Sequence, residues 1–287
     1  MNAMTLLVVL LSATLISTNS SAQTTSIVTD DASIAANCPK PRDNFYNRYL
    51  HTEKMPLAYD YVHEKDVFWE KRIWRLINTK EKRNHIFRNP QAPFISILLE
   101  AAKKGEIHLY SAWDDQFSDL LDQDAIHRLC HSSDTIEVVD PITFESSYRV
   151  VENAFNPENV IKFRVKEVWF FDEETSSLNV RILGIAPLIS RYSDDGYFLN
   201  EGPMFWAYYP ELRNVLAKKE AFNPHNDAAR LSWDDIFEAR IFSSYIIKES
   251  NIKDRRIQDY TSGMNALLES EKIKESIFNF EHDLWTY

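Results

Sequence analysis

Apolar and charged positions alternate most clearly in VIKFRVKEVWFFD, residues 160–172, where Ile161, Phe163 and Val165 fall between Lys162, Arg164 and Lys166. A period of two is that of a strand with one face in water. At Glu167 the alternation slips, which predicts a bulge or a change to burial on both faces. The turn residues EETSS follow, and LNVRILGIA returns with Leu178, Val180 and Ile182 on one face, making a hairpin. A turn at Asp195-Gly196 then leads into YFLNEGPMFWAYY and predicts an antiparallel meander of three strands over about 160–208.

Elsewhere the period is longer. In DVFWEKRIWRLI, residues 66–77, a helical pitch of about 100° per residue gathers Val67, Trp69, Ile73, Trp74, Leu76 and Ile77 on half the circumference. This predicts a helix from about Tyr61 to Lys82. Its opposite face carries Phe68, Arg72 and Arg75 at spacings i, i+4 and i+7, where a solvated helix shows Lys, Glu and Gln. That face is either a contact for another protein or is covered by a loop of the same domain.

PFISILLEAAKKG predicts a second helix that starts at Pro93, places Lys103 and Lys104 in its last turn and stops at Gly105. IHLY reads as a short strand, QDAIHRLC as a helix and TIEVVD as a strand. WDDIFEARIF has a marked helix start, whereas SSYIIKESN alternates like a strand and its period does not decide. Near the C-terminus Met264, Leu267 and Leu268 form one helical face and Ile273, Ile277 and Phe280 nearly the opposite one. Such a helix either breaks near Ser270 or touches two partners. Segregated strands and helices imply an α+β fold, the meander sheet with helices from the N- and C-terminal parts packed around it. A single domain is expected over 58–287, mainly helical from about 231.

The termini add a destination. An apolar run from Thr5 to Ile16, followed by small polar residues to Ala22, reads as an export signal too short to span a membrane, although no Lys or Arg precedes it. No Cys directly follows the run, so no lipid attachment is expected. Residues 23–57 read as an extended arm, either a disordered tail or a strap across a neighbouring subunit anchored by Phe45, Tyr46 and Tyr49. No later run is long and apolar enough to insert in a membrane.

Composition then removes function classes. Acidic side chains number 43 against 32 basic, a balance unsuited to duplex nucleic acid. The glycines stand isolated at 105, 184, 196, 202 and 263, so phosphate-cradling loops are absent, as is the G-x-S-x-G elbow of serine hydrolases. Cys38 and Cys130 could bond in an oxidising periplasm, yet two cysteines make no disulfide framework, and structural thiols are the plainer reading.

Three stretches carry candidate chemistry. HRLCH places His127 and His131 one helical turn apart beside Cys130, like two ligands of a zinc hydrolase. Arg128 stands where the general base belongs, so an ordinary helix face is the better reading. SAWDDQF and LSWDDIF offer paired carboxylates, Asp114 with Asp115 and Asp234 with Asp235, for acid–base chemistry or a divalent ion. The spacing of Ser111 with Asp114, and of Ser232 with Asp235, favours helix capping instead. NIKDRRIQDY sets Arg255 and Arg256 between Asp254 and Asp259, ahead of Tyr260, and is either solvated surface or a subunit contact. No catalytic residue, metal or cofactor is expected. The alternative is an exported metal-dependent hydrolase using His127, His131 and Cys130 or the paired aspartates.

YDYVHEKDVFWEKRIWRLINTKEKRN, WDDIFEARIFSSYIIKESNIKDRRIQDY and GMNALLESEKIKESIFNFEHDLWTY together resemble the gliding motility protein GldN, or PorN, of the Bacteroidetes. The resemblance covers most of the chain after the signal. It implies an exported, non-enzymatic periplasmic part of the type IX secretion system. Such proteins form rings of neighbouring copies with an outer-membrane lipoprotein, GldK or PorK, and contact the periplasmic region of the inner-membrane motor protein GldM or PorM. Secreted cargo of that system ends in a β-rich sorting domain, whereas this C-terminus reads as helical.

Overall fold

The computed structural model describes residues 54–139, 146–193, 197–224, 226 and 228–284. Within it the segment expected to be a helix over 61–82 is a strand, β1 (Val67–Asn78), preceded by a single 3-10 turn, Glu64–Asp66. The reason lies in burial. Ile73, Trp74, Leu76 and Ile77 are all buried, because β1 lies inside a sheet and is packed on both sides there. A strand buried on both faces reads as a near-continuous apolar run, which periodicity cannot tell from a helix.

The other strands are β2 (Leu109–Tyr110), β3 (His131–Val139), β4 (Ser146–Ala154), β5 (Val160–Asp172), β6 (Ser177–Tyr192), β7 (Phe198–Pro203), β8 (Trp206–Tyr208), β9 (Glu220–Ala221), β10 (Leu231–Ser232) and β11 (Tyr245–Glu249). The main sheet is antiparallel in the order β11-β1-β5-β6-β8-β2, and β7 pairs with the end of β6. β3 with β4, and β9 with β10, form separate pairs. The meander β5-β6-β7 is therefore present, and the slip at Glu167 is a register shift between Lys166 and Glu167 against β6. The Asp195-Gly196 turn falls outside the described residues. SSYIIKESN, left open by its period, supplies β11.

Helices are α1 (Phe94–Lys103), α2 (Gln123–Cys130), α3 (Tyr209–Leu216), α4 (Trp233–Glu238) and α5 (Met264–Leu284). The chain is an α+β protein. Ile77, Phe163, Val165 and Ile185 from the sheet pack with Phe94 and Leu98 of α1, Leu212 of α3, and Trp233 and Phe237 of α4. Farther along the sheet Ile73 and Ile246 meet Ile273 and Ile277 of α5, and Phe280 stacks on Trp69 at 4.8 Å. α5 does not break at Ser270. That hydroxyl is buried and accepts the Ile246 N–H of β11 at 2.9 Å, while Met264, Leu267 and Leu268 stay exposed.

Polar side chains fasten the helices. Arg213 of α3, buried, donates through Nε to Asp234 Oδ1 of α4 at 3.0 Å, and Tyr209 donates to Glu238 at 3.0 Å. Ahead of β1, Tyr59 donates to Glu238 at 2.5 Å and lies 4.1 Å from the Arg213 guanidinium, and Lys54 pairs with Asp235. Ser232 caps α4: its Oγ accepts from Asp235 N at 3.2 Å while the Asp235 carboxylate accepts Ser232 N at 2.9 Å. Ser232→Ala removes this cap and is expected to lower stability by about 1 kcal/mol, read as a shift in urea midpoint at unchanged m-value. Of the arm expected over 23–57 only 54–57 is described, and the export signal lies outside the described residues. Among the described residues no helix is long and apolar enough to cross a membrane.

Candidate functional site

The helices lie on the side of the sheet to which Ile73 and Ile77 point. Trp74 points to the other side, where Ala186 and Trp206 are buried with Tyr110, Phe117 and Ile247 packed against them. This side is covered by loops. One register row runs Lys248, Trp74, Lys166, Gly184, Tyr208 across five strands. Lys248 Nζ stands 4.2 Å from the Trp74 ring centroid, and Lys166 Nζ stands 5.3 Å from that of Phe117. Phe117 lies against the sheet at Gly184, where a Cβ would come within 2.5 Å of its Cζ. Its own backbone takes a left-handed conformation, φ 62°.

Beside this row opens a cleft of about 520 Å³ whose lining includes Trp74, Trp113, Arg164, Trp206, Lys248 and Arg256. Trp113 is 97% exposed. The carboxylates in the lining are engaged: Asp115 pairs with Lys166, Asp254 with Lys248 at 2.5 Å, Asp114 accepts from Gln116 N and Ser118, and Asp259 accepts Arg256 N at 2.7 Å. Among the described residues Arg164 has no ion pair, and its Nε and the Trp74 Nε1 have no hydrogen-bond partner. Burial, then the neighbouring charge of Arg256, pushes Arg164 down to about 10.

The residues singled out in the sequence separate accordingly. Arg256 and Asp259 line the cleft, and Arg255, exposed, stands 5.5 Å from the exposed Tyr260 ring. Arg72 follows the strand alternation of Trp74 and pairs with Glu70 at 3.2 Å. Phe68 is the residue left unpaired where the β1–β5 register shifts between Val67 and Trp69, and it is 62% exposed. Arg75 leaves the group: with a two-residue period it points to the helical side, where it donates to Ser244 Oγ at 2.9 Å. Sequence reasoning missed Lys166 and Arg164 by taking their side of β5 as solvated. Lys166 is buried, and its position opposite Trp74 follows only from the pairing of β1 with β5.

The candidate acid–base pairs are not pairs. Asp234 faces Arg213 while Asp235 faces Ser232 and Lys54, and Asp114 and Asp115 have separate partners. Only LSWDDIF caps a helix; SAWDDQF is a loop. His131 is the first residue of β3, not part of the helix carrying His127, and the two rings stack at 4.5 Å with Cys130 buried. Among the described residues no group of three His, Cys, Asp or Glu is placed to hold a metal. Cys38 lies outside the described residues.

The molecule is thus an α+β fold whose carboxylates in SAWDDQF and LSWDDIF hold loops and helices in place, with aromatic and guanidinium groups such as Trp113 and Arg255 at the surface. The chain belongs to the GldN family, whose model, described as gliding motility associated protein GldN, matches residues 62–286. No curated protein matches the chain.

Proposed function

We propose that this protein is a non-enzymatic scaffold subunit of the type IX secretion system, exported to the periplasm and held at the outer membrane by a lipoprotein of the GldK/PorK kind. In this reading neighbouring copies form a ring with that lipoprotein and contact the periplasmic region of the motor protein GldM/PorM. The assembly serves protein secretion and, in gliding species, motility. Membership of a gliding-motility family supports the reading. The observation that carries it is the loop-covered side of the sheet, where Trp113, Arg164 and Arg256 surround an open cleft. Trp, Tyr and Arg are the side chains that dominate protein contacts.

Co-expression of the mature chain with the lipoprotein, followed by imaging of the purified particles, tests the reading. Closed rings containing both chains are expected. A well-behaved monomer in that preparation, with the lipoprotein free, overturns it.

A further inference from the structure

The chain is acidic, with a formal net charge of −11, yet basic groups converge on one hollow beside the C-terminal half of β1. This cleft of about 390 Å³ is lined by Arg75, Lys82, Arg83, Arg240 and Lys274, with Glu81 as the carboxylate among them. Arg240 already pairs with Glu167 at 2.7 Å and Lys274 with Glu271 at 3.4 Å. The remaining cations are not neutralised. Arg75 is held by Ser244 Oγ and the Ser244 carbonyl, and neither it nor Lys82 nor Arg83 has an ion pair among the described residues. Burial weakens the proton affinity of Arg75, a nearby Glu167 partly offsets this, and the charge of Arg240 weakens it further. Like charges gathered in this way favour a bound anion.

No glycine lines the hollow, so the close backbone approach that wraps a phosphate is missing. Guanidinium and ammonium groups from separate elements suit side-chain carboxylates. The chain presents such carboxylates at the opposite end of the same strands. In the β5–β6 turn Asp172 is buried and accepts Glu174 N at 3.1 Å and Thr175 Oγ1 at 2.9 Å, while Glu173 and Glu174 are exposed and, among the described residues, have no ion pair. Glu173 N bonds Asp66 O at 2.9 Å, so the exposed Glu64 stands in the neighbouring segment. Arg75 pairs with Val165 and Val67 with Asp172, so at ~3.4 Å per residue the two ends lie roughly 24 Å apart. Two different, complementary patches at opposite ends of the same strands can make a head-to-tail contact, the kind that closes rings or builds filaments.

We propose that the basic cleft of one copy receives the Glu173–Glu174 turn of a second copy. The inference rests on the scaffold reading only in requiring copies to stand side by side. Charge reversal tests it in the co-expressed assembly with the lipoprotein. Glu173→Lys with Glu174→Lys, or Lys82→Glu with Arg83→Glu, is each expected to lower ring yield about tenfold or more, since like charges across a contact repel. All four changes in one chain restore the yield, with folding of every variant checked by circular dichroism. Rings that persist in both two-site variants overturn this contact and leave the scaffold reading intact. Failure of the cleft variant alone assigns the anion to another protein and overturns the second copy as occupant. A four-site variant that folds but does not assemble also overturns the pairing, and a monomeric wild-type chain overturns both readings.

Discussion

Asp234→Ala is expected to lower the free energy of unfolding by about 3 kcal/mol, more than any change at the surface, because it strands a buried guanidinium. Arg213 and Asp234 are both nearly inaccessible, and the carboxylate takes the Nε and Nη2 donors of the arginine at 3.0 and 3.4 Å as well as the Tyr209 hydroxyl at 3.3 Å. Glu238, 3.5 Å from Nε, moderates the loss without replacing the two-point contact. A control separates charge stranding from lost packing. Asp234→Leu combined with Arg213→Met removes both ions and fills the space, so it is expected to cost less than the single alanine change. Urea unfolding at neutral pH reads both; a double variant less stable than Asp234→Ala would show that the pair contributes net stability.

The second large effect falls on assembly rather than folding. Phe68→Ala with Arg72→Ala is expected to leave the free energy of unfolding within about 0.5 kcal/mol of the parent while removing the chain from particles formed with the lipoprotein. Phe68 is mostly exposed and, among the described residues, the Arg72 side chain pairs with Glu70 alone, both half-exposed, so neither side chain contributes much to the fold. β11 pairs with β1 only from Ile73 to Leu76, which leaves the preceding residues of β1 at the rim of the sheet. There a ring and a guanidinium are accessible to another molecule. A double variant that folds and enters particles at normal yield would show that this rim is not a contact.

What was legible in the sequence depended on whether one face or two were covered. β5 and β6 could be read because charged and apolar residues alternate along much of their length, and even the slip at Glu167 was visible. β1 was not legible, since helices bury Ile73 and Ile77 on one side while loops bury Trp74 on the other. The resulting run has the spacing of a helix, and that false period brought Arg75 into the company of Phe68 and Arg72. The two S-x-W-D-D stretches teach the same lesson locally. Trp233 is 1% exposed in the core and its serine caps α4, whereas Trp113 is 97% exposed and its serine caps no helix. The difference is tertiary, supplied by Phe87, Phe94 and Lys54, and no local spacing encodes it. Arg256 and Asp259 stood out as a charge run, but their neighbours Trp74 and Lys248 came into view only through the pairing of β1 with β11.

Phe117 resting on Gly184 ties two distant positions into one constraint. A methyl at 184 must displace the phenyl ring, which belongs to the residue next to the 112–116 stretch lining the larger cleft. The constraint runs one way: bulk gained on the strand at 184 must be matched by a shift or a loss of the ring at 117, whereas the ring can be lost with the glycine unchanged.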